Sequence, residues 1–223
     1  MSKTEHIHLH SVTSTNDEAK RLIRSGAGAP LLVTADLQTA GRGTHGRSFI
    51  SPEGGLYMSA VLKVKSVADC LYYTALAAVA VCGILREHEH IDVRIKWIND
   101  IKLDGKKLAG ILCEGVTADG GEYIIVGVGI NCKKTVFPEE TEKIAASYDG
   151  GDPYILSELI MKRLIALSAE DKSDILASYR SMCETPGSQV VFEGRTMTAT
   201  AIDDDFGLVL SDGTRTFVTR NTR

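Results

Sequence analysis

Residues 93–131 read VRIKWINDIKLDGKKLAGILCEGVTADGGEYIIVGVGIN, and the fold turns on this stretch. Positions 93–97 carry a strand pattern, Asp104-Gly105 is a hairpin turn signal, and 107–115 return as a second apolar strand. After the Asp119-Gly120-Gly121 turn, 122–130 run back again. Strands joined by tight turns rather than by crossover helices pair antiparallel, so a meander is expected. Towards the N-terminus, 55–64 alternate as a strand, and 68–89 form the longest helical pattern. Its stripe of Leu71, Ala75, Ala78, Cys82 and Leu85 is small enough to pack closely on a sheet. Strands are also expected at 31–35 and 6–12, with a helix over 17–23 between them. Ser14-Thr15-Asn16 supplies its cap, Thr15 and Glu18 have capping-box spacing, and Gly26 and Gly28 end it. Towards the C-terminus, 138–151 read as loop with one short helix, and 153–168 and 172–182 as helices. Beyond Glu184, short strands at 189–192, 196–202, 208–210 and 216–218 suggest a tiny β-barrel, too small to hold a core alone. The expected class is α+β: a mixed, largely antiparallel sheet backed by helices over 1–183, and a small barrel over 184–223. The joint between the two is a natural edge for a site.

The 223 residues allow one good core and a small satellite. A formal net charge of −4 argues against bulk binding to nucleic acid, although a local basic loop can still meet phosphate. No apolar run reaches the ~18 residues that cross a membrane, and MSKTEHIHLH has no apolar signal core. Cys70, Cys82, Cys113, Cys132 and Cys183 form no C-x-x-C pair and read as free thiols of a reducing cytosol. A cytoplasmic protein without nucleic-acid or membrane partners is expected.

Residues 41–47, GRGTHGR, follow an apolar strand. Glycines let backbone N–H groups approach an anion, and arginines add charge-assisted donors. Lys107 opens an apolar strand beside Lys106, and the two point to opposite faces. Such a pair is either solvated or places one fixed cation against a carboxylate or phosphate. Asn99-Asp100 reads as a turn or as a polar site at a strand end, and Trp97 as a core anchor. Gly127 and Gly129 in GVGIN clear one sheet face, for tight packing or for a flat ligand. Gln38 offers an amide donor and acceptor at the same edge. His6, His8 and His10 share a strand face but lack further ligands at metal spacing. No G-x-S-x-G, H-E-x-x-H or C-x-x-C motif supports a hydrolase or zinc enzyme.

Five motifs, in order and spacing, resemble those of the biotin–protein ligases: Ser14-Thr15-Asn16, Gln38-Thr39-Ala40-Gly41-Arg42-Gly43, Lys96-Trp97-Ile98-Asn99-Asp100, Lys107-Leu108-Ala109-Gly110 and Gly127-Val128-Gly129-Ile130-Asn131. The resemblance implies a class II synthetase-like sheet followed by an SH3-like barrel. It also implies ATP, biotin and Mg2+ as ligands, and a biotinyl-5′-adenylate passed to a lysine of the biotin carboxyl carrier domain of a carboxylase. By resemblance, Lys107, Arg42 and Asp100 carry catalysis, and Arg47 joins Lys107 and Arg42 in offsetting phosphate charge. Ser14, Thr15, Asn16 and Gln38 hold the ureido ring, flanked by Gly127 and Gly129. Asn131 serves magnesium. Gly41, Gly43, Phe49, Lys96, Trp97, Asn99, Gly110 and Leu112 complete the binding set. Three positions depart from the family pattern: Thr44 replaces an arginine, Phe49 a tryptophan and Ile98 a proline. The motifs begin so early that no room is expected before them for the DNA-binding helix-turn-helix of some bacterial relatives. Relatives occur as monomers and as dimers paired edge to edge, so a homodimer is one of two states open to the chain. Two alternatives stand beside this reading: a lipoate or octanoate ligase or transferase of the same fold, and a non-catalytic biotin- or carrier-binding protein.

Overall fold

The computed structural model describes residues 4–133 and 139–220. Position 138, where the expected loop opens, and the terminal residues of both expected domains lie outside the described residues. Eleven strands and five α-helices are described: β1 (Glu5–Val12), α1 (Thr15–Arg24), β2 (Leu31–Gln38), β3 (Leu56–Val64), α2 (Cys70–His88), β4 (Val93–Lys96), β5 (Asp100–Leu103), β6 (Lys106–Ala118), β7 (Gly121–Ile130), α3 (Glu139–Glu142), α4 (Pro153–Leu167), α5 (Lys172–Met182), β8 (Gln189–Phe192), β9 (Arg195–Ile202), β10 (Leu208–Ser211) and β11 (Thr216–Thr219).

The first seven strands form one sheet in the order β1-β2-β3-β7-β6-β5-β4, in which only β1 and β2 run parallel. The meander of β4 to β7 follows the two turn signals at 104–105 and 119–121. Strand alternation divides the side chains between two faces. Leu32, Met58, Ala60, Ile124, Val126 and Val128 meet α2, α4 and α5 in the main core. Leu31, Val33, Val61 and Ile125 meet Ala19 and Ile23 of α1 in a smaller one. Gly127 and Gly129 fall on the α1 face, beyond the reach of that apolar cluster.

Two expectations are corrected. The C-terminal strands form an open sheet, β11-β10-β9-β8, and among the described residues no sheet closes into a barrel. Closure would require β8 to pair with β11. Instead Met197, Ala199, Ile202, Leu208 and Leu210 bury their side chains in the main core. Phe206 meets the rings of Tyr72 and Tyr179 at 5.8 and 5.9 Å, and its carbonyl accepts the Trp97 indole N–H at 2.8 Å. The second correction concerns apolar length. Val67–His88, which is α2 with the turn before it, is long and apolar enough by length and composition to cross a membrane. In this fold residues 74–85 are buried, packed on the sheet and on α4 and α5. Their many alanines permit that close approach.

Candidate active site

On the α1 face, where the sheet has lost its side chains, a small cavity opens. Gly127 of β7 stands between Ser59 of β3 and Leu112 of β6, and Gly129 stands between Tyr57 and Gly110. A Cβ at 127 would lie 2.3 Å from Asn16 Oδ1, and one at 129 would lie 2.6 Å from the Phe49 ring. These two positions therefore demand glycine for space. The cavity is lined by Ser14, Thr15 and Asn16, by Gln38, by Arg42, Gly43 and Phe49, by Asn99, by Lys107, Gly110 and Leu112, and by Gly127 and Gly129. The sequence drew all of these together. It did not mark Met58, Ile111 and Val128, which complete the wall.

The start of α1 is held in an unexpected way. Ser14 is the N-cap but makes no side-chain cap bond, and Thr15 is already helical rather than the capping residue. Gln38 supplies the acceptor from outside the helix: its Oε1 takes the Thr15 backbone N–H at 2.9 Å and the Thr15 hydroxyl at 3.2 Å. Gln38 Nε2 donates to Ser51 at 2.9 Å. Ser59 is fully buried and lies 2.6 Å from Asn16 Oδ1 and 2.8 Å from Thr15 Oγ1. Asn16 Nδ2 donates to Glu114 Oε2 at 2.8 Å and reaches the Leu112 carbonyl at 3.3 Å. Burial alone would raise the Glu114 carboxyl. Hydrogen bonds from Lys20 and Asn16, with the charges of Lys20 and Arg42, hold it below its ordinary value. Neither Ser59 nor Glu114 was legible in sequence, because a single polar residue in an apolar strand reads as a solvent-facing position.

A second cavity, of about 580 Å³, adjoins the first and shares Gly43, Phe49 and Lys107 with it. Arg47, Lys96, Asp100 and Asn131 line it, with Thr44, Lys102 and the segment around Ile144. Lys107 Nζ lies 2.6 Å from Asp100 Oδ1 and 5.9 Å from the centre of the Phe49 ring. The Asp100 contact is an ion pair. Asn99 and Asn131 are buried and spend their amide N–H groups on the carbonyls of Ile111 and Ala146. The Gly/Arg loop is a compact hairpin, with Gly43 N–H bonded to the Arg47 carbonyl and Phe49 N–H to the Gly41 carbonyl. Arg42 pairs with Asp17 and Glu114. Arg47 donates to the Thr44 carbonyl and, at 2.8 Å, to its hydroxyl.

Two of the expected site residues line neither cavity. Trp97 points into the core, and Gly41 shapes the loop from behind. Glu184, at the joint of the two expected units, lines neither cavity but lies 3.2 Å from Lys102 of the second cavity's wall. Cys113 and Cys132 line neither cavity, and burial pushes their thiols up to about 12 and about 11, so neither offers a ready thiolate. Among the described residues no group of three or more His, Cys, Asp or Glu side chains can hold a metal. His8 and His10 instead pair with Asp36.

The fold is that of a known class of protein ligase. A structure of the biotin protein ligase from Aquifex aeolicus in complex with biotin and ATP matches with a TM-score of 0.84, covering 97% of this chain and 96% of that one at 26% identity. The biotin–[acetyl-CoA-carboxylase] ligase of Mycobacterium tuberculosis is 30% identical over 92% of this chain and 82% of its own length. The bifunctional ligase/repressor BirA of Bacillus subtilis is 40% identical over 64% of this chain. The match spans 46% of BirA, so the chain corresponds to about half the length of that relative. The biotin/lipoate A/B protein ligase profile matches residues 9–131, which contain the whole lining of the small cavity. The chain belongs to that family.

Proposed function

We propose that the protein joins biotin to a lysine of a biotin carboxyl carrier domain, using ATP and passing through biotinyl-5′-adenylate. The observation that carries the reading is the position of Lys107, which borders both cavities and brings a single ammonium group to their junction. An acid in the small cavity and a triphosphate in the larger one meet there. A structure of a family member bound to both biotin and ATP supports the pairing.

Two anions repel each other, and the chain's contribution is to offset that repulsion at the point of reaction. Lys107, Arg42 and Arg47 supply fixed positive charge around the carboxylate and the α-phosphate. A carboxylate oxygen attacks the α-phosphorus, the bond to the bridging oxygen breaks, and pyrophosphate leaves. The acceptor amine then attacks the acyl carbon and AMP departs, so no protein nucleophile is needed. Asp100, at the same junction, is the base for the incoming ammonium group. Ser14, Thr15, Asn16 and Gln38 provide the hydrogen-bonding wall for a polar ring over the cleared glycines. That set suits a ureido ring better than a dithiolane. Magnesium fits as the triphosphate's counterion. Such an ion takes most of its ligands from phosphate and water, and the Asn131 amide oxygen is a hard donor of the right kind beside the larger cavity. When bound it would neutralise phosphate charge. We retain a division of the chain near residue 184 and a cytoplasmic site of action as parts of the same proposal.

The test is direct. Purified protein with biotin, ATP and magnesium releases pyrophosphate, and a carrier domain gains the mass of one biotinyl group. If lipoate or octanoate supports adenylation and biotin does not, the reading is wrong.

A further inference from the structure

Behind the small cavity, and outside its lining, lies a half-buried carboxylate that the proposed reaction does not use. Glu114 of β6 collects three donors. Lys20 Nζ approaches Oε1 at 2.6 Å, while Asn16 Nδ2 and Arg42 Nη2 approach Oε2 at 2.8 and 3.3 Å. Lys20 and Asn16 belong to the first turns of α1, and Arg42 belongs to the Gly/Arg loop. One side chain therefore ties a strand, a helix start and a loop together. It also fixes the sense of the Asn16 amide. With Nδ2 committed to Glu114 and to the Leu112 carbonyl, Oδ1 faces Ser59, 2.6 Å away, and the bare face of Gly127.

We propose that Glu114 is a positioning residue that sets Asn16 and Arg42 for the acid-bearing ligand of the small cavity. The proposal rests on the functional reading above for the identity of that ligand. Charge alone makes the opposite prediction. Arg42 and Lys20 balance Asp17 and Glu114 in formal charge, so a carboxylate ligand approaching Arg42 is repelled by Glu114. Neutralising Glu114 should then tighten binding if its effect acts only through space. Binding weakens instead if Glu114 serves by holding its three partners in place, because their charge-assisted hydrogen bonds are lost and the helix start and loop separate.

The experiment compares the full chain with its Glu114→Gln and Glu114→Asp variants by two readouts. Calorimetry with biotin alone should show affinity falling roughly tenfold in Glu114→Gln, with partial recovery in Glu114→Asp, the size expected for one charge-assisted hydrogen bond. In steady-state adenylation the KM for biotin should rise by a similar factor while the KM for ATP stays within about twofold. Independently of any ligand, limited proteolysis should cut the loop over residues 41–52 several times faster in Glu114→Gln than in the native chain. Unchanged or tighter biotin binding in Glu114→Gln overturns the proposal, and so does loop cleavage at the native rate. A parallel rise in both KM values with a large fall in Tm also overturns it, by showing general damage. If the native chain binds no biotin, the functional reading fails, and the proteolysis result alone decides whether Glu114 positions the loop.

Discussion

Removing the Lys107 ammonium tests the junction of the two cavities. Two unit charges about 4 Å apart attract by about 4 kcal/mol at an effective dielectric near 20. The Lys107 side chain is 35% exposed and already faces Asp100 at 2.6 Å, so screening and that partner reduce what is available to the phosphate. About 3 kcal/mol remains, which corresponds to about 10²-fold in rate. The same range is found when one preorganised donor is removed from a developing oxyanion. Lys107→Ala is therefore expected to slow pyrophosphate release about 10²-fold at saturating biotin and ATP. Its Tm should fall by only a few degrees, since a half-exposed ion pair contributes about 1 kcal/mol at most. Transfer from chemically prepared biotinyl adenylate to a carrier domain should fall by less than tenfold, because the bond that Lys107 helps to form is then already present. Lys106→Ala lines neither cavity and should stay within about threefold of the native rate. A loss below fivefold in Lys107→Ala, or equal losses in the two lysine variants, would refute the reasoning.

Gly127→Ala should lower biotin affinity at least tenfold, because its Cβ would stand 2.3 Å from an Asn16 oxygen locked in a buried network; calorimetry reads this, and native affinity would show that the floor is soft. Thr44 brings a hydroxyl, already accepting from Arg47, where the family pattern has a guanidinium, so the native enzyme should release some adenylate and label bystander lysines. Thr44→Arg should reduce that labelling, measured by mass spectrometry at matched adenylate synthesis, and equal labelling would mean that the site is closed by other groups. Trp97→Phe removes the indole donor to the Phe206 carbonyl and should cost about 1–2 kcal/mol in urea unfolding while leaving adenylation near native, since Trp97 lines neither cavity; an activity loss beyond threefold would place Trp97 in the site after all.

The central sheet was legible because its turns are written locally. Asp104-Gly105 and the glycines at 120 and 121 fix two reversals, and the strands between them alternate. The C-terminal sheet was legible strand by strand but not in its closure. Whether β8 reaches β11 depends on where five apolar side chains find their burial, and Met197, Ala199, Ile202, Leu208 and Leu210 find it as part of the main core. Most of the site was carried by motif order. Trp97 shows the limit of that argument: it travels with Lys96, Asn99 and Asp100 in sequence, yet in the turn after β4 its ring is buried and its indole N–H is given to the Phe206 carbonyl. Glu114 and Ser59 mark the other limit. Each is a lone polar residue whose meaning comes from Asn16, more than 40 positions away.

Phe49 places a ring against the bare faces of Gly129 and Gly110, and the space left in the small cavity is about 40 Å³. That is room for about three water molecules and too little for a bicyclic acid. Entry therefore follows an opening step, and the kinetics of that step identify what opens. A ring that turns alone does so within nanoseconds, and association then rises linearly with ligand concentration. If the whole hairpin over residues 41–52 lifts, the motion takes microseconds to milliseconds, and the observed rate levels off at the frequency of lifting. In the second case Phe49 works as a clock on the first encounter. How quickly the site fills is then written in the hinge of one loop, separately from how firmly the ligand is held.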